Sequence, residues 1–191
     1  MERALNPGPR ARAEGRARVR ARVPALVHAL GGACLLACAL SLPARAAQPQ
    51  PLALAVQRLS LDAALKAARA AMARCRAEGL QVGVTVVDRD GLPQVMLRDV
   101  LAPELTLRVS RRKAYTAASF DSPTSRLQAR GGSGLAHVPG LLFDAGGVPI
   151  SAAGTLYGAI GVSGAPSGAT DEACARAGAE SLQEDLEMRQ P

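Results

Sequence analysis

Between residues 141 and 164 the chain packs three short β-prone segments, 141–143, 148–151 and 155–163, separated only by Gly146-Gly147 and Ala152-Ala153-Gly154. Linkers this short cannot hold a crossover helix, so consecutive segments must pair antiparallel. Pro149 brings no backbone donor, which sends its segment to a sheet edge or turns its nitrogen away from the ladder.

A second antiparallel pair lies upstream. Val82, Val84 and Val86 alternate through residues 82–87 and run into Asp88-Arg89-Asp90-Gly91, a turn in which glycine supplies positive φ and the aspartates bond backbone. Residues 92–98 then return as the partner strand. Asp88 and Asp90 are therefore read as turn residues before they are read as metal ligands.

Helical patterns flank these strands. Ser60 is placed to cap a helix whose apolar positions, Leu61, Leu65, Ala68, Met72 and Cys75, recur at helical spacing until Gly79. Residues 107–120 read as a second helix, with Arg108, Arg111, Arg112 and Lys113 as a charged run that ordinarily faces solvent. Asp121-Ser122-Pro123-Thr124 stops it and starts a short helix to Arg130, and Gly131-Gly132-Ser133-Gly134 predicts a flexible loop. Thr170 or Asp171 is placed to cap a last helix whose inward positions are Cys174, Gly178, Leu182 and Leu186. The order predicts a single α+β domain, a five-stranded antiparallel sheet packed with helices.

Composition narrows function mainly by exclusion. Only 2% of residues are aromatic and there is no Trp, which argues against base-stacking folds and nucleic acid. The net charge of +7 is concentrated at the start, where residues 1–46 carry eight arginines and two glutamates. That stretch has the form of a signal peptide: basic residues to Arg22, an apolar run over 23–42, and Ala44-Arg45-Ala46 with small residues where a signal peptidase reads. Residues 47–58 follow as a flexible arm, 59–187 as the domain and 188–191 as a tail. The expectation is a periplasmic or secreted protein with no stable membrane insertion after processing. The alternatives are a retained anchor, or a lipoprotein joined to lipid through Cys38 of Leu35-Leu36-Ala37-Cys38. After cleavage Cys34 and Cys38 are lost, and Cys75 and Cys174 are read as buried core side chains rather than as a bonded pair.

No recognisable catalytic constellation follows. The processed chain holds one histidine, His137, so a multi-histidine metal site is excluded and His137 is the one imidazole for metal or haem ligation. No nucleotide-binding glycine motif opens a helix after a strand, and Gly161-Val162-Ser163-Gly164 lacks the spacing of a hydrolase elbow. Tyr115 is read first as a half-buried helix residue.

Taken in order, several segments carry a resemblance: Val84-Thr85-Val86-Val87-Asp88 with Gly91, Arg112-Lys113-Ala114-Tyr115-Thr116-Ala117, Ser122-Pro123-Thr124, Pro139-Gly140, Gly146-Gly147-Val148-Pro149-Ile150, Leu156-Tyr157-Gly158-Ala159-Ile160-Gly161-Val162-Ser163-Gly164 and Asp171-Glu172. Together they resemble the GlcG/HbpS family of haem-binding and so-called haem-degrading domains across nearly all of residues 59–187. The resemblance implies a profilin-like α+β domain, assembly into homo-oligomers, and haem as a possible cofactor. It also implies a small-molecule ligand held by Lys113, Tyr115, Thr116, His137 and the Gly146-Gly147 turn, with Thr116 in the segment that lies near the iron in one branch. The first helix lacks the histidines some haem binders use there. Two other readings stay open: an enzyme acting on a small organic acid with Lys113 or His137 as acid or base, and an oligomeric accessory protein without catalysis.

Overall fold

A computed structural model describes residues 51–188. The proposed signal peptide, Cys34, Cys38, the Ala44-Arg45-Ala46 site, the start of the arm and residues 189–191 lie outside the described residues. Helix α1 (Leu61–Ala77) leads into strands β1 (Gly83–Asp88) and β2 (Pro93–Arg98), helix α2 (Leu105–Phe120), strands β3 (Gly147–Ala152) and β4 (Thr155–Ser163), and helices α3 (Gly168–Glu180) and α4 (Gln183–Met188). Two 3₁₀ segments, Thr124–Gly132 and Gly134–His137, fill the region expected to be a short helix and a loose loop.

The strands form one antiparallel sheet in the order β2-β1-β4-β3. Strand β1 is central and buried along its whole length, whereas β3 with its Pro149 takes an edge, as its missing donor requires. The 152–155 connection closes tightly because Ala153 and Gly154 both take positive φ, the combination a two-residue hairpin demands.

The sheet has four strands among the described residues, not the expected five. Residues 141–143 do bury Leu141 and Phe143, which produced the strand-like pattern, but their polar groups bond elsewhere. The Leu142 amide donates to Thr116 Oγ1 at 2.8 Å, and the Leu141 carbonyl accepts from Arg112 at 2.5 Å. Side chains of α2 thus satisfy the groups that a neighbouring strand would have taken.

Helices cover both faces of the sheet. On one, α1 and α3 close over Val84, Val86, Val148, Ile150, Ile160 and Val162, all essentially inaccessible to water. At its centre Cys75 of α1 and Cys174 of α3 form a disulfide with Cα atoms 5.5 Å apart. Burial of both cysteines was expected; their bonding was not, because two helix stripes far apart in sequence reveal nothing of their Cα separation. On the other face α2 lies against Val87 and Ala159. It sits so close that a Cβ on Gly161 would be 2.1 Å from the Ser110 carbonyl oxygen, and one on Gly147 2.3 Å from that of Lys113.

Helix ends follow local chemistry. The Ser60 hydroxyl accepts from the Ala63 amide at 3.2 Å, as its position predicts. Helix α3 is capped by Ser167, whose hydroxyl accepts from the Thr170 amide, and not by Thr170 or Asp171. Asp171 therefore falls one turn inside the helix, where its side chain turns toward the core.

Candidate functional site

Helix α2 carries cations on two sides, and the structure separates them completely. Lys113 is not part of a solvated run: it is 4% exposed, and its ammonium donates to Asp171 Oδ2 at 2.7 Å and to the Val162 carbonyl at 3.2 Å. Asp171 also accepts from the Ala165 amide at 3.0 Å. Loss of water around Asp171 raises its carboxyl above the ordinary carboxylate range, and Lys113 only partly offsets this.

This pair ties α2 to α3 and β4 beneath the Gly146-Gly147 turn. Gly146 has φ +125, and a Cβ there would be 2.7 Å from the Lys113 ammonium nitrogen. Thr124 Oγ1 accepts from the Gly147 amide at 2.9 Å, and Glu172 accepts from Ser125 Oγ at 2.7 Å. The two glycines are thus packed against polar groups of neighbouring helices, with no open space above their Cα atoms. Thr116 is also fully enclosed: its hydroxyl donates to the Arg112 carbonyl at 2.8 Å and accepts from the Leu142 amide.

The opposite side of α2 presents a different surface. Arg108, Arg111, Arg112, Tyr115, Pro139 and Gly140 line an open groove of about 400 Å³. The arginines reach it because positions three and four apart on a helix share a face. Arg108 makes only an exposed ion pair with Glu104 at 3.1 Å, and Arg111 has no ion pair or hydrogen bond among the described residues. Arg112 is fixed by its bond to the Leu141 carbonyl. The Tyr115 ring forms a wall between two glycines: a Cβ on Gly91 would lie 2.5 Å from it and one on Gly140, at φ +92, would lie 3.4 Å away. His137 is exposed at the end of its 3₁₀ segment, two residues before the groove lining resumes at Pro139.

Of the residues the sequence singled out, the structure therefore brings Tyr115 together with the 139–140 turn, and it puts Lys113, Thr116, Gly146 and Gly147 in a separate buried network. The three arginines that line the groove register in the sequence as a charged run beside Lys113. Asp171 reads as a cap. Its partnership with Lys113, 58 positions away, leaves no local trace. Among the described residues no group of three His, Cys, Asp or Glu side chains is placed to hold a metal ion.

Fold and groove together define an α+β domain in which one antiparallel sheet is enclosed by helices and one helix offers a cationic, aromatic-walled surface. The chain belongs to the HbpS-like haem-degrading protein family, whose model matches residues 59–180. A crystal structure of a double mutant of Streptomyces reticuli HbpS is 43% identical, with 71% of this chain and 98% of that one covered and a TM-score of 0.65. A second HbpS crystal structure is 44% identical over 71% and 98%, with a TM-score of 0.66. A structure described as a PduOC–haem complex is 27% identical over 65% of this chain and 94% of that one, with a TM-score of 0.61. No curated protein sequence matches.

Proposed function

We propose that this chain is an exported haem-binding protein, acting in sequestration or sensing, and that the arginine groove on α2 is where the haem docks. The observation that carries the reading is the convergence of Arg108, Arg111 and Arg112 beside the Tyr115 ring. Haem is a flat apolar disc with two carboxylates at one edge. Guanidiniums match carboxylates bidentately, and an aromatic wall suits the ring. The volume of the groove falls within the range of small-molecule sites. The family and the haem-bound relative support the ligand class.

Among this chain's residues the arginines would hold the propionates and Tyr115 would pack against the ring. His137, just outside the lining, is the one imidazole among the described residues, and haem bound there would supply redox-active iron. Lys113 and Thr116 act one step back, by fixing α2 and the 141–142 backbone that positions the groove. The resemblance implies a homo-oligomer, and light scattering of the purified protein reads it.

Titrating haemin into the purified protein and following the Soret band tests the proposal. The expected result is a saturable shift that weakens by about tenfold or more in Arg111→Ala, the loss of one charge-assisted pairing. A haemin spectrum that does not saturate overturns the reading.

Export is supported by the basic-then-apolar leader and by the Cys75–Cys174 disulfide, since such bonds persist in oxidising compartments. Among the described residues no helix is long and apolar enough to cross a membrane. N-terminal sequencing of the native protein is expected to start at Ala47. A start at Cys38 with a lipid mass shift converts the reading to a lipoprotein, and an intact Met1 removes it.

A further inference from the structure

The groove's lining has a conspicuous chemical bias. Its polar side chains are three guanidiniums and one phenol, and it contains no imidazole, thiolate or thioether. Three of the four side-chain types that hold haem iron by its axial position are therefore missing from the surface that would meet the porphyrin, and the fourth is present once, as Tyr115. Thr116, which follows Tyr115 in sequence, is fully enclosed, with its hydroxyl already donating to the Arg112 carbonyl and accepting from the Leu142 amide. His137 is outside the lining and exposed. Tyr115 keeps a phenol oxygen, but its ring is clamped between Gly91 and Gly140 and is placed as a wall.

The cations, in contrast, are graded for capturing carboxylates. Arg111 is unengaged among the described residues, Arg108 is held only by an exposed pair that competes weakly, and Arg112 is already aimed by the Leu141 carbonyl. A propionate is a stronger acceptor than the Leu141 carbonyl and the same kind of acceptor as Glu104, whose exposed pair with Arg108 is worth little, so it can recruit all three.

Resting on the haem-binding reading above, we infer that this site recognises the carboxylate edge and flat face of a tetrapyrrole and not its metal. The ligand class is then the tetrapyrrole dicarboxylates as a whole, iron-free porphyrins included. The arginines set specificity through the two propionates, and the iron is a passenger.

The test compares three probes on the purified protein: haemin, iron-free protoporphyrin IX and protoporphyrin IX dimethyl ester. Affinities are read by absorbance or fluorescence titration, in the native chain and in Arg111→Ala. The exposed Arg111 makes no contact the fold depends on, so the variant reports binding and not folding. The expected result is that haemin and the iron-free diacid bind within about threefold of each other while the ester binds about tenfold or more weakly, and that Arg111→Ala narrows the gap between acid and ester. Haemin that saturates while the iron-free diacid does not, or an ester that binds as well as the diacid, overturns the inference and leaves haem binding standing. If none of the three saturates, the haem-binding reading falls with it.

Discussion

The two faces of the sheet are built on different physical terms. The α1/α3 face is a conventional aliphatic core in which valines and isoleucines from four strands meet alanine-rich helices around a disulfide. The α2 face has little apolar volume. It is made from Gly147, Gly161, Ala114, Ala117 and Ala159 around Val87, with polar contacts such as Thr85 Oγ1 to Ser110 Oγ at 2.8 Å. Large side chains on the first face stabilise through the area they remove from water. Small ones on the second permit close backbone approach, and the helix is then secured by hydrogen bonds and one buried ion pair. The consequence is geometric: α2 is fixed to the sheet at close range, and its outer surface presents Arg108, Arg111, Arg112 and Tyr115 at helical spacing.

The contrast predicts that the α2 face is hurt most by losing one half of a polar pair. Lys113→Met leaves Asp171 buried without its cation, and the expected cost is about 3–5 kcal/mol by urea denaturation. Adding Asp171→Asn to that variant is expected to restore more than half of the loss, because no unpaired charge remains and the amide oxygen can still accept from Ala165. If the double variant is as unstable as the single, the pair is not what secures this face.

The other face is expected to answer to its covalent link. Replacing Cys75 and Cys174 together by Ala releases a loop spanning 99 positions, and the expected loss is about 2–5 kcal/mol. Reducing agent on the native protein should approach the same value only after unfolding, since both sulfurs are shielded from solvent. Haemin affinity is expected to be unchanged in the folded double variant, because neither cysteine lies on the α2 side. A change in haemin affinity comparable to that of Arg111→Ala would show that the two faces are coupled.

Legibility in the sequence divides along the same line. Period-2 alternation around Val84 and Val86 and the helical stripe ending at Cys75 announce the aliphatic face directly, and the glycine-punctuated 146–164 block announces its antiparallel pairs. The α2 face is written in polar residues whose partners are distant. Lys113 reads as one more exposed cation until Asp171 is brought beside it. Residues 141–143 read as a strand because burial of Leu141 and Phe143 imitates alternation, while the bonds that occupy their backbone come from Arg112 and Thr116. The disulfide is invisible for a related reason: periodicity places each cysteine on an inward stripe and leaves the crossing of the two helices unspecified. For the groove, the family resemblance pointed to the 113–116 and 137–140 segments, and the structure shows that the second one contributes Pro139 and Gly140 while the arginines of α2 supply the charge.

The smallest effect expected is the pH dependence of the Lys113–Asp171 pair, and its sign differs from that of the usual paired carboxylate. Burial raises the Asp171 carboxyl in the folded chain above its unfolded value of about 4, so the native state holds this proton more tightly than the unfolded chain does. Its contribution to stability is accordingly complete below the unfolded value and is lost as pH rises through the folded one. Lys113 limits the shift by favouring the charged carboxylate. Removing that cation in Lys113→Met raises the carboxyl further and widens the window. The cost of Lys113→Met is therefore expected to be greatest near neutral pH and to shrink as the pH is lowered toward about 4, where Asp171 is protonated and leaves no unpaired charge. Urea denaturation of the native chain and the variant at matched pH values reads this as converging midpoints. A cost that stays constant, or grows as the pH falls, would mean that Lys113 stabilises α2 through packing of its aliphatic stem and not through its charge.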